Sequence, residues 1–130
     1  MISVVDVETM ILEMPTAYKD YPFGEQPAVY FVDLRPKSSD LSESQEANLT
    51  SGDSGRKMFA LVDEKSLPVR ISLKCDPQLA TLLREKYESV LPGYHLNKKH
   101  WNTIICSGQL EDQELQDLIR HSYELVMAAS

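Results

Sequence analysis

Cysteine is nearly absent from this chain of 130 residues: only Cys75 and Cys106 occur. They lie thirty-one positions apart and form no C-x-x-C pair, which suits reduced thiols in a cytoplasm better than a disulfide framework and gives no zinc-site spacing. Glycine is scarce at five, and no glycine-rich phosphate loop, nucleophile elbow or paired-carboxylate motif occurs. No apolar run approaches the ~18–20 residues a membrane span needs. The segment Met1-Ile2-Ser3-Val4-Val5-Asp6 lacks a basic stretch, so no signal peptide is expected. Basic residues are outnumbered too. Thirteen Lys and Arg against twenty Asp and Glu give a net charge of −7, which argues against a simple nucleic-acid binder.

What is present fits one soluble domain. A chain of this length buries roughly two-thirds of its unfolded surface, so no metal or disulfide is required to hold it. The apolar fraction of 42% and charged fraction of 25% are those of an ordinary globule. The charge is unevenly spread. Residues 1–55 hold three basic and ten acidic groups, residues 56–101 nine and five, and residues 102–130 one and five. A basic middle inside an acidic protein can give a local positive face, because exposed charges are screened beyond ~8 Å; a mixed solvated surface is the plainer alternative.

Periodicity predicts a helix from about Val4 to Met14, with Val4, Val7, Ile11 and Met14 on one stripe and Ser3 with Asp6 as its cap. Thr16 to Pro27 reads as a loop anchored by Tyr18, Tyr21 and Phe23. Strands are expected over Ala28–Leu34, Lys57–Val62 and Val69–Cys75. In the third, Arg70, Ser72 and Lys74 alternate with apolar residues, so the two cations share one face. Pro36 to Gly55, with six serines and no aromatic, reads as a flexible loop insertion. Asp76-Pro77 opens a second helix carrying Leu79, Leu82, Leu83 and Tyr87. A strand from Trp101 to Cys106 and a helix from about Asp112 to Met127, burying Leu115, Leu118, Ile119, Ser122 and Val126, complete the chain. The order is helix, three strands, helix, strands, helix, with no internal repeat.

The densest chemistry lies in Pro92-Gly93-Tyr94-His95-Leu96-Asn97-Lys98-Lys99-His100-Trp101-Asn102-Thr103, which holds two histidines, two lysines, two asparagines, a tyrosine and the only tryptophan. One reading sets Lys98, Lys99, and Arg70 or Lys74 on phosphates, Trp101 or Tyr94 against a base, and Asn97 or Asn102 at a base edge or sugar. A second makes Trp101 a core aromatic while Tyr94 and His95 pin a turn. A third collects Lys74, Tyr94, His95, Asn97 and Lys98 into a pocket for a phosphate or carboxylate, on a small molecule or a protein. Catalysis has the least to stand on. His95, His100 and the two cysteines are the only soft candidates for base and nucleophile, and a Cys75 thiol on an apolar strand face is normally inert. His95 and His100, five apart, do not aim at one metal, so neither metal nor cofactor is expected. His121 reads as a hydrogen-bonding residue of the last helix, or as a wall of a pocket at the dense segment.

Lys74-Cys75-Asp76-Pro77, the dense segment itself, and His121-Ser122-Tyr123-Glu124-Leu125-Val126 together resemble the MmcQ/YjbR family. Tyr21-Pro22-Phe23-Gly24, the strand with Phe31, and Lys57-Met58-Phe59-Ala60-Leu61 fall where that family has matching segments, so the resemblance spans nearly the whole chain. Only Pro36 to Gly55 departs from it, being longer than the family's hairpin. The resemblance implies an α/β (α+β) domain with an antiparallel sheet backed by helices, CyaY-like and of the double-wing DNA-binding type. It also implies DNA as a partner, while the lack of a long apolar run leaves no membrane role expected.

Overall fold

The computed structural model describes residues 2–33, 56–93 and 96–128. The loop expected over 36–55 therefore lies outside the described residues, as do Tyr94 and His95. Helix α1 (Val4–Leu12) begins at a reciprocal cap: the Asp6 amide donates to Ser3 Oγ, and the Ser3 amide donates to the Asp6 carboxylate. Four strands follow, β1 (Ala17–Asp20), β2 (Ala28–Asp33), β3 (Arg56–Asp63) and β4 (Arg70–Lys74). Helix α2 (Pro77–Lys86) starts at the Asp76 carboxylate, which accepts from the amides of Gln78 and Leu79. Strands β5 (Val90–Pro92) and β6 (Trp101–Ile105) precede the long helix α3 (Asp112–Ala128).

The strands form one six-stranded antiparallel sheet in the order β1-β2-β3-β4-β6-β5. This is the α+β class expected from the sequence, with two differences in the strand list. Thr16 to Pro27 is not all loop, since Ala17–Asp20 pairs with Val29–Val32 as an edge strand. Val90–Pro92 likewise adds an edge strand beside β6. Both are too short to display a period. The proline of β5 suits an edge, where a missing amide donor is harmless.

The three helices among the described residues cover one face of the sheet, α3 against β3 and β4, α2 against β5 and β6, and α1 against α3 and β1. The core there includes Val7, Ile11, Tyr30, Phe59, Val62, Ile71, Leu83, Ile104, Leu115, Ile119 and Val126. Tyr30 is fully buried, and its hydroxyl reaches Glu8 of α1 at 3.3 Å, where Lys19 of β1 also pairs. The opposite face carries no helix among the described residues. It has its own smaller cluster of Val29, Phe31, Leu61 and Trp101, edged by Met58 and Leu96. Apolar groups on both faces explain why Ala28–Val32 reads as a continuous apolar run.

A bulge in β3 sets this division. Tyr30 lies opposite Ala60 and Phe31 opposite Met58, so Phe59 is an extra residue. Phe59 and Ala60 consequently both face the helices, while Met58 and Leu61 face the other way.

Candidate anion-binding face

Alternation along β4 sends Ile71 and Leu73 into the helix-side core and leaves Arg70, Ser72 and Lys74 on the helix-free face. The register places Arg70 opposite Asp63 and Ile105, Ser72 opposite Leu61 and Thr103, and Lys74 opposite Trp101. Ser72 Oγ and Thr103 Oγ1 stand 2.8 Å apart across the β4–β6 pair. Arg70 is exposed, and among the described residues its guanidinium has no ion-pair or hydrogen-bond partner. Arg56 differs: it pairs with Asp20 at 3.1 Å and lies 3.9 Å over the Phe31 ring. The Tyr21 amide and this guanidinium together hold the Asp20 carboxyl below its ordinary range.

Around Arg70 the face is hollowed into a groove of about 700 Å³. Leu61, Ser72 and Thr103 belong to its strands, Phe23 and Pro27 come from the β1–β2 loop, and Leu96 comes from the turn before β6. Gln26 fastens the loop to the end of β3, its side-chain oxygen accepting from the Glu64 amide at 3.0 Å. A smaller hollow of 240 Å³ lies on the helix side, beside Cys106 and the start of α3. Asp6, Glu111 and Asp112 line it and no cation does, so it is unsuited to an anion.

The residues singled out in the sequence fall into three places. Lys98 and Lys99 are exposed in the turn entering β6, whose Leu96 packs on the helix-free cluster. Lys98 Nζ donates to the Gly93 carbonyl at 3.2 Å, and Asn97 Oδ1 accepts from the Lys99 amide at 2.9 Å, so part of this polar set holds the turn itself. Trp101 is on the helix-free face but only 7% exposed, packed with Val29, Phe31 and Leu61 as a core aromatic. Asn102 is not brought to that face. It is buried on the helix side, where Nδ2 donates to the Ala80 carbonyl, because a strand turns successive side chains to opposite faces. Tyr94 and His95 lie outside the described residues. His121 does not join the groove; its Nε2 accepts from the Asp76 amide at 3.2 Å and steadies the start of α2.

Sequence reasoning missed Leu61, Ser72, Thr103 and the Phe23–Pro27 wall as one site. Their apposition follows from β3, β4 and β6 being neighbours, which no local pattern states. Neither cysteine offers a nucleophile at this face. Burial pushes the Cys75 thiol up to about 11 and the Cys106 thiol up to about 12. No group of three or more His, Cys, Asp or Glu placed to hold a metal occurs among the described residues. Among those residues, too, no helix is long and apolar enough to cross a membrane.

Comparison with known proteins agrees with this architecture. A family model described as YjbR matches residues 12–125. The uncharacterised protein YbdF of Escherichia coli O157:H7 is 41% identical over 118 residues, 91% of this chain and 79% of its own length. The uncharacterised protein YjbR of Escherichia coli K12 is 42% identical over 67 residues, 52% of this chain, and the match spans only 57% of that relative's length. The crystal structure of Deinococcus radiodurans DR2400 superposes with a TM-score of 0.77 at 34% identity, over 95% of this chain and 78% of that one. A Pseudomonas syringae protein shares the fold with a TM-score of 0.66 at 24% identity, over 95% of this chain and 98% of that one. With the family pattern matched over most of its length and the sheet shared with these structures, the chain belongs to the YjbR family.

Proposed function

We propose that this protein is a non-catalytic cytoplasmic binding protein that holds nucleic acid weakly on the helix-free face of its sheet. The observation that carries this reading is the segregation of charge between the two layers. The helical segments 2–14, 76–89 and 107–128 hold three basic and eleven acidic groups, whereas the sheet segments 17–33, 56–74 and 97–106 hold eight basic and five acidic. The helical segments thus carry −8 and the sheet segments +3, the remaining −2 belonging to residues 34–55, so among the described residues the negative excess belongs to the helical layer. An acidic back repels a polyanion and orients it toward the basic front.

Arg70, Lys74, Lys98 and Lys99 are the phosphate partners in this reading. Four contacts support only weak, sequence-tolerant binding, on the order of 10⁻⁴–10⁻⁶ M at physiological salt. Trp101 is too buried to stack on a base, so affinity rests on the cations. Absence of an exposed nucleophile–base pair among the described residues favours binding over catalysis. The test is fluorescence anisotropy of a labelled single strand and a labelled duplex, from low to physiological salt. Binding at low salt that disappears with salt and in the Lys98→Glu, Lys99→Glu double variant supports the proposal. Absence of binding to either probe at low salt refutes it.

A further inference from the structure

The groove around Arg70 has features that a polyanion-binding surface does not need. Its body is apolar: Leu61 lies in the sheet, and Phe23, Pro27 and Leu96 wall it. Phe23 is 66% exposed at this groove, a large ring left facing water. A single exposed apolar residue is common, but the Phe23 ring converges with half-buried Pro27 and Leu96 and buried Leu61 beside a cation without a partner among the described residues, which describes a pocket for an amphipathic ligand. Its volume of about 700 Å³ suits a small molecule rather than a strand of nucleic acid.

The polar end is selective in charge. Arg70 supplies a guanidinium, whose planar fork matches a carboxylate in a bidentate pair. Ser72 and Thr103 place two hydroxyls beside it. Asp63 stands directly across from Arg70, its carboxylate engaged by Ser66 Oγ at 2.6 Å and by the Lys65 amide. Asp63 offsets the charge of Arg70, so an anion is held by the guanidinium's directed hydrogen bonds and a dianion meets more repulsion from Asp63 than a monoanion does. That balance selects a monocarboxylate over a phosphate dianion.

We infer that this groove, which shares Arg70 with the proposed nucleic-acid face, also binds a monocarboxylate with a compact apolar body, such as an aryl or branched alkyl group. The carboxylate pairs with Arg70 near the Ser72–Thr103 hydroxyls, and the apolar body lies over Leu61 between Phe23 and Leu96. Arg70 is common to both readings, but the Phe23, Pro27, Leu61 and Leu96 walls have no part in the nucleic-acid one, so the groove stands or falls without it. Lys74, four residues along β4 from Arg70, is about 13 Å away at the strand's rise per residue.

The test uses 3-phenylpropionate, its uncharged amide and inorganic phosphate as probes, followed by ¹H–¹⁵N NMR titration of the full chain. The expected result is saturable binding of 3-phenylpropionate, with shifts centred on Leu61, Arg70, Ser72, Thr103 and Leu96. The amide and phosphate should bind at least about tenfold more weakly, given the strength of a charge-assisted bidentate pair. Arg70→Gln should weaken the carboxylate by a similar factor with unchanged dispersion of the spectrum, while Arg120→Gln on α3 should leave it as it was. Equal binding of acid and amide, undiminished binding to Arg70→Gln, or no saturable shift at probe concentrations on the order of 10 mM would each overturn the inference. Because these probes carry no phosphodiester, a negative DNA titration has no bearing on the outcome.

Discussion

The hydroxyl of Ser122 in α3 donates to the carbonyl of Phe59 at 2.5 Å, at the residue that the β3 bulge leaves over. The same oxygen accepts from the Lys74 amide at 2.9 Å. In an uninterrupted ladder Phe59 and Lys74 would pair next after Ala60 and Leu73. Ser122 occupies that place, fully buried, and joins the last helix to both strands. Ser122→Ala strands one buried carbonyl and one backbone amide, each costing about 1–3 kcal/mol unpaired. Urea unfolding should show a loss of about 2–4 kcal/mol. A loss below about 0.5 kcal/mol, the range of neutral surface substitutions, would show that water or a shifted strand replaces the hydroxyl.

Gly93 closes the β5–β6 edge. A Cβ built there lies 2.7 Å from Trp101 Cβ and 3.0 Å from the Trp101 carbonyl, to which the Gly93 amide donates. Neither neighbour is a flexible chain end. Gly93→Ala should therefore destabilise by about 1–3 kcal/mol, in the range of overpacked cores. It should also red-shift the Trp101 emission as the ring loses its packing. An unchanged melting temperature and spectrum would contradict the contact.

The thiols provide a chemical test of the core. Burial raises both Cys75 and Cys106 well above the pH of ordinary labelling, and only the thiolate reacts. Folded protein at pH 8 should resist iodoacetamide, whereas unfolded protein should take up two equivalents. The raised values also fix a sign. Each thiol is held neutral in the fold, so stability present below the unfolded thiol range falls as pH rises through that range, when the unfolded chain ionises first. Prompt labelling of either cysteine in the folded state would contradict its burial.

Salt dependence checks the number of phosphate contacts. With Arg70, Lys74, Lys98 and Lys99 engaged, the slope of log K against log salt should be about −3. The Lys98→Glu, Lys99→Glu variant should lose binding, and Lys98→Gln with Lys99→Gln should roughly halve the slope. A slope near zero would indicate that binding, if observed, is not carried by these cations.

Much of the fold was legible because local chemistry states it. Ser3 with Asp6, and Asp76 with Pro77, mark two helix starts, and the apolar spacing from Leu115 to Val126 gives the buried stripe of α3. Alternation in β4 correctly set Arg70 and Lys74 on one face. The same rule of two, applied across Trp101 and Asn102, separates them onto opposite faces and removes Asn102 from the open side. The four-residue β1 and three-residue β5 were hidden by their brevity. The bulge at Phe59 and the role of Ser122 depend on strand neighbours far apart in sequence. So does the groove, whose walls come from residues 23–27, 61–72 and 96–103.

The most direct test of the central claim is a ¹H–¹⁵N NMR titration with a short single-stranded oligonucleotide and a short duplex at low salt. The account predicts shifts confined to β4, β6 and the 97–100 turn, led by Arg70, Lys74, Lys98 and Lys99, with α1 and α3 silent. Shifts on the helical layer, or none with either probe, would contradict binding by the helix-free face.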